Sequence, residues 1–208
     1  MRQRLSETLQ TAASDALEQR VKPVEALADD AQQVAAACHA MAIRFHRGGK
    51  LVCFGSGGPS TDAQHIAVEF VHPVIVGKRA LPAISLTGDV ATLTSVAGRE
   101  GYAEIYAHQL RHLAAPSDIA LGVSVDGNDP AVLAGLEAAA ELGMLTIALV
   151  GGDGGRTAAS PAVHHALVAR SEDPLVVKEV HVTAYHVLWE LVHVLFEQPG
   201  VLDPEVIR

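Results

Sequence analysis

From Lys50 onward, short unbroken apolar runs alternate with stretches whose apolar positions recur at helical spacing. The runs are LVCFG (51–55), LPAISLT (81–87), DIALGVSV (118–125), LTIALVG (145–151) and HHALVA (164–169). Each is apolar continuously rather than alternately, the pattern of strands covered on both faces of a parallel sheet. Helical segments fall between them at about 61–76, 90–97, 101–114 and 130–143, and a long helix is predicted over 174–197. Ahead of Lys50 the chain reads as two helices, 2–19 and 23–47, parted at Lys22-Pro23. In the second, Val24, Leu27, Ala28, Ala31, Val34, Ala35, Cys38 and Met41 form the apolar stripe. This alternation implies right-handed crossovers and an α/β fold, a three-layer α/β/α sandwich around a five-stranded parallel sheet. One domain over residues 1–208 is expected, with a helical pair (1–48) preceding the α/β core and terminal helix (49–198). Ligands of such sheets sit beyond the carboxyl ends of the strands. That rule selects the loops GSGGPS (55–60), Thr87 to Arg99, SVDGND (124–129) and GGDGG (151–155).

Composition narrows the function classes. Of 208 residues, 49% are apolar and 19% charged, which describes a globular chain rather than a disordered one. A formal charge of −9 argues against a nucleic-acid surface, which needs clustered Lys and Arg. Cys38 and Cys53 fall in apolar patterns, with neither disulfide nor metal-knuckle spacing, as in a reducing compartment. No segment approaches ~18 uninterrupted apolar residues, and the first twenty residues lack an apolar signal core. The expectation is a cytoplasmic protein with no membrane partner.

The stretch VCFGSGGPSTDAQHIAVEF (52–70) carries the first candidate chemistry. Its glycines permit a sharp turn and bring backbone N–H groups toward a ligand at a helix start. It is no dinucleotide fingerprint, because Ser60 stands where the third glycine belongs, and no Gly-Lys-Ser/Thr follows. No nucleotide cofactor is expected. A plain strand-to-helix turn explains the loop equally well. His65 and Glu69, at i and i+4, share one helix face and could serve proton transfer or metal binding, although a lone helical histidine is more often structural. In the terminal helix Glu179, His186 and His193 fall seven apart, a polar stripe on an apolar helix. Either these are hydrogen-bonded buried groups, His186 pairing with Glu190, or one of the histidines meets Glu69 across a site.

Taken in order, GxGGxxxDAxHxAxEF, a Ser-x-x-Gly-Asn loop, GxDGG and a terminal KEVHVTAYH resemble the sugar isomerase (SIS) domain family, most closely its phosphoheptose isomerase branch. The similarity runs from about Leu51 to Leu195. It implies a homotetramer with active sites at subunit interfaces, interconverting aldose and 2-ketose phosphates through an enediolate. The family's general base falls on Glu69 and its general acid on His186. Members that bind zinc do so through positions matching His65, Glu69 and His186, with a glutamine where Lys178 stands. The implied sugar-phosphate contacts are Ser56, Gly57, Gly58, Ser60, Asp89, Ser124, Asp126, Asn128, Asp129 and Lys178.

This chain departs from that pattern at several places. Pro59 replaces the first loop serine, and a run that is Ser-Thr-Ser-Gly-Asn-Ser in relatives is here Ser124-Val125-Asp126-Gly127-Asn128-Asp129. Gly98-Arg99 replaces Asn-Asp. Asp129 ahead of Pro130 is an expected helix N-cap, whereas Asp126 has no role legible in the sequence. A carboxylate facing a phosphate opposes it, unless Asp126 turns away or Lys178 or Arg99 compensates. An alternative therefore stands: a non-catalytic SIS-domain module with a degenerate phosphate site, either binding sugar phosphate or acting as a protein adaptor. A third is an isomerase turned to an unphosphorylated or amine-bearing sugar.

Overall fold

The structure, a computed structural model, describes residues 2–198 and 200–202. Helices α1 (Arg2–Asp29) and α2 (Ala31–His46) precede the core. There follow β1 (Leu51–Gly55), α3 (Gly58–Val71), β2 (Ala83–Ser85), α4 (Val90–Arg99), a 3-10 turn (Tyr102–Glu104) and α5 (Ala107–Leu113). The chain continues through β3 (Ile119–Ser124), α6 (Pro130–Glu141), β4 (Leu145–Gly151), α7 (Gly155–Ala159), β5 (His165–Ala169) and α8 (Pro174–Phe196). All strand pairs are parallel, in the order β2-β1-β3-β4-β5.

Alternation along each strand splits the core into two layers, because successive side chains leave opposite faces of a sheet. Leu51, Cys53, Leu121 and Ile147 pack under α2, α3 and α8, beside Met41, Phe70 and Leu188. Val52, Phe54, Ala120 and Ala148 pack on the other face, beside Tyr106, Leu110 and Leu136. Both cysteines are buried and unpaired, and burial pushes the Cys38 thiol up to about 12.

Several predicted boundaries are corrected. The break expected at Lys22-Pro23 does not occur: α1 runs through Pro23 and ends at Asp29. The proline removes a helical donor from the carbonyl of Gln19, an exposed residue whose carbonyl water can serve. Meanwhile Leu27, past the proline, is held in the core, and Arg170 binds both the Ala26 carbonyl and Asp30. The helix expected over 61–76 starts earlier, at Gly58, and stops at Val71, because Pro73 forces His72 out of helical geometry. The segment 81–87 yields only a three-residue edge strand. The helix expected over 101–114 divides into a 3-10 turn and α5, and GGDGG opens into the unforeseen single turn α7.

Candidate functional site

Helices α3 and α8 pack side by side, and polar groups on their facing sides meet in a ladder. On α3 these are Asp62, His65 and Glu69; on α8 they are Lys178, Tyr185, His186 and Trp189. Positions three and four apart share a helix face, so each helix presents its set to the other. At the loop end, Lys178 Nζ donates to Asp62 Oδ1 at 2.6 Å and to Thr61 Oγ1 at 3.2 Å. One turn on, the Tyr185 hydroxyl lies 2.8 Å from His65 Nδ1. His65 Nε2 is in turn 3.1 Å from Glu69 Oε1. The Trp189 indole N–H donates to the Glu69 carbonyl at 2.9 Å, fixing that turn of α3 against α8.

His186 completes the cluster. Its ring stands edge-on to those of His65 (5.4 Å) and Tyr185 (4.9 Å). One ligand atom from each of His65, Glu69 and His186 lies within 4.8 Å of the other two, all within a single chain. Two imidazoles and a carboxylate gathered in this way could hold a metal ion. Glu69 and His186 line a cleft of about 500 Å³ with Val74, Ile75, Lys78 and Glu190. The polar stripe of α8 thus has three fates. Glu179 binds Arg20 of α1, His186 faces the cleft, and His193 is buried between the carbonyls of Trp189 and Arg79.

The strand-end loops form a second cleft of about 490 Å³, lined by Ser56, Pro59, Ser124, Val125, Asp126, Asn128, Asp129, Glu172 and Pro174. Gly57 (φ +66°) turns the chain into α3, a backbone conformation closed to most side chains. The Ser60 hydroxyl bonds the Gly57 carbonyl, closing the loop on itself. Ser56 bonds the Tyr106 hydroxyl, which donates to the Gly55 carbonyl; burial pushes that phenol up to about 12. Asp129 caps α6 as expected, accepting from the N–H groups of Ala131 and Val132 and from Tyr102. Asp126 has a structural role that sequence reading missed. Its Oδ1 accepts the Asn128 N–H at 2.9 Å, and it takes the Ser124 hydroxyl at 3.4 Å. Such amides would otherwise be free for an anion.

Neither cation proposed to compensate reaches this cleft. Lys178 is engaged by Asp62 in an adjoining hollow of about 290 Å³ that also takes in Gly58 and His181. Arg99 lies beside Thr92 and His108 in a different hollow. Asp89 lines neither cleft; it caps α4, its carboxyl held low by the Thr92 hydroxyl and amide. Within one chain the cleft of Glu69 and His186 and the strand-end cleft share no lining residue.

Asp62, His181, Tyr185 and Glu172 were missed in the sequence. The spacing 62/65/69 on α3 and 178/181/185/189 on α8 was the available signal. His181 is 2% exposed, and its Nε2 has no hydrogen-bond partner among the described residues. Burial pushes its imidazole below the ordinary 6.5, although a hydrogen bond with the Val150 backbone opposes the shift. Protons therefore bind the unfolded chain more readily than the folded one. This contribution to stability is complete above about 6.5 and falls away as pH drops below it. Urea unfolding at pH 7.5 and 5.5 should show a loss of stability on acidification that is smaller in His181→Leu; an equal loss in both would refute the role.

Residues 15–151 match the family model described as the SIS domain. The chain is 41% identical over 177 residues to the phosphoheptose isomerase of Solidesulfovibrio magneticus, covering 85% of each chain. It is 44% identical over 161 residues to that of Desulfovibrio desulfuricans, covering 76% of this chain and 75% of that one. Among solved structures, the phosphoheptose isomerase from Francisella tularensis superposes with a TM-score of 0.80 at 28% identity, over 90% of this chain and 97% of that one. The phosphoheptose isomerase from Neisseria gonorrhoeae does so with a TM-score of 0.80 at 26% identity, over 88% and 98%.

Proposed function

Since the chain belongs to the SIS domain family, we propose that it is a sugar-phosphate isomerase, interconverting an aldose phosphate and its 2-ketose phosphate through an enediolate, as a phosphoheptose isomerase does. The observation that carries this reading is the meeting of Glu69 and His186 in one cleft. Moving a proton between C1 and C2 needs a base at carbon and an acid at the oxygens. Glu69 has one oxygen engaged by His65, which leaves the other to take the proton from carbon. His186, exposed on the opposing helix, gives and recovers a proton at the substrate oxygens.

His65, Glu69 and His186 would hold a zinc ion, which when bound would polarise the substrate carbonyl as a Lewis acid. Lys178, paired with Asp62, adds no fourth ligand in this chain. A homotetramer with sites completed between subunits is supported by the separation of the two clefts. Further support comes from Leu9, Leu17, Val21 and Val24, exposed along α1. An apolar groove between that helix pair and α8 is a second face that another copy would cover. No described helix is long and apolar enough to cross a membrane, and two buried free thiols suit a reducing compartment; we place the protein in the cytoplasm.

A second reading rests on the carboxylates of Asp126, Asp129 and Glu172 in the strand-end cleft, which has no lysine or arginine among its lining residues. They would favour a sugar that is unphosphorylated or carries an amine. One experiment separates the readings: purified protein, weighed by light scattering and expected as four chains, is mixed with sedoheptulose 7-phosphate or with sedoheptulose, with and without zinc. Aldose formation is followed by carbon NMR. Conversion of the phosphate ester is expected; conversion of the free sugar alone would move the assignment to the second reading. Inertness toward both would end the catalytic one.

A further inference from the structure

A phenol on α8 holds the imidazole that holds the proposed base. Tyr185 is 1% exposed, so its hydroxyl is fixed by the packing of α8 against α3 and the sheet. His65 is different: its side chain is 43% exposed, and its ring is held by edge-on contacts with Tyr185 and His186 and by two hydrogen bonds. Those bonds are the Tyr185 hydroxyl on Nδ1 (2.8 Å) and the Glu69 carboxylate on Nε2 (3.1 Å).

The proton inventory of the three groups admits one arrangement when the imidazole is neutral. A carboxylate only accepts, so Nε2 must carry the ring proton toward Glu69. Nδ1 is then an acceptor and needs a donor, which the tyrosine hydroxyl supplies. Burial, with Asp62 and Glu69 nearby, pushes the phenol upward, so it keeps its proton. Were a cation held by His65, Glu69 and His186, Nε2 would turn its lone pair to the ion and the ring proton would move to Nδ1. The tyrosine oxygen would then accept it. A hydroxyl serves in both arrangements, since it donates and accepts.

We propose that Tyr185 is a positioning residue of the isomerase site, holding the His65 ring in the orientation that aims the Glu69 carboxylate. The role rests on the isomerase reading for its effect on turnover, but not for the hydrogen bond itself. Outer-shell groups that orient a metal-ligating imidazole typically contribute about 10- to 100-fold to metal affinity or activity. The test is Tyr185→Phe, which keeps the ring and its packing and deletes only the hydroxyl.

In protein labelled with nitrogen-15 histidine and dialysed against a chelator, the His65 ring signals, assigned by their loss in His65→Asn, should report a single Nε2–H tautomer. In Tyr185→Phe the Nδ1 signal should move to that of an acceptor nitrogen that has lost its donor. In protein as purified, kcat for the heptose phosphate should fall about tenfold while KM stays within about twofold, because the base is misaimed rather than the substrate released. Unchanged His65 signals would overturn the proposal whether or not the protein turns over. Changed signals with unchanged kcat would overturn the positioning role. If the wild-type protein proves inert, the isomerase reading fails and the positioning role fails with it, while the NMR arm still decides the hydrogen bond.

Discussion

Replacing Glu69 with glutamine is expected to lower turnover of a heptose phosphate by about 10³-fold, within the range that a positioned general base contributes. The substitution is close to isosteric, and the amide oxygen can still accept from His65 Nε2 where Oε1 does now. The bond from the Trp189 indole goes to the backbone carbonyl of residue 69, so the seam between α3 and α8 is untouched. What is lost is basicity: an amide does not take a proton from carbon near neutral pH. The effect should therefore fall on kcat, with thermal unfolding shifted by no more than about 2 °C, because shape and the His65 hydrogen bond are kept. Activity within tenfold of wild type would remove Glu69 from the role of base. A loss of activity that came with a large drop in melting temperature would report damage to the seam and not to the chemistry.

Gly127→Ala should be the most damaging single methyl in the strand-end loops. Gly127 sits at φ +71°, where an L side chain costs about 1–2 kcal/mol. A Cβ there would stand 2.0 Å from the carbonyl oxygen of Gly154 and 2.5 Å from its carbon. These are backbone atoms, so no rotamer change relieves the overlap and the loops after β3 and β4 must separate. That would break the bonds tying them, from Thr157 N–H to the Gly127 carbonyl (2.9 Å) and from Arg156 N–H to Asn128 Oδ1 (3.1 Å). Backbone strain and overpacking together should cost about 3 kcal/mol, read as a melting temperature lower by about 6–12 °C. The strand-end cleft would lose its shape as well, raising KM more than it lowers kcat. A melting temperature within about 2 °C of wild type would mean that the loops are not locked to one another in this way.

The two variants probe different things, and the contrast bears on how the protein is built. Glu69 is replaceable for folding because α3 is anchored by its buried face, through Ile66 and Phe70. Gly127 is not, because the loop it belongs to is held by hydrogen bonds, from its own Ser124, Asp126 and Asn128 side chains and from the backbone of the loop after β4.

The five parallel strands were legible in the sequence because burial on both faces demands unbroken apolar runs, and few other structures produce five in alternation with helices. The order GSGGPS, HxxxE and KEVHVTAYH resembles the SIS family, and that resemblance named Glu69 and His186 as partners before any geometry was known. Boundaries were less legible. The reading of Pro23 as a break treated it locally, while the helix around it is stabilised by what Leu27 and Arg170 reach elsewhere in the fold. Asp126 looked unexplained for a related reason: its partner is a backbone amide two residues on, which becomes a donor only once the loop has closed.

The amino-acid order alone determined the sheet and the layering, since each follows from side-chain type and spacing, whereas Glu69 and His186 were singled out as candidate base and acid by the resemblance to the SIS family. Only tertiary structure decided which groups face one another across the seam: that Lys178 turns to Asp62, that Tyr185 reaches His65, and that His193 is buried between two carbonyls. Helical periodicity says which residues share a face, but the rotation and offset of one helix against its neighbour are set by how the whole core packs.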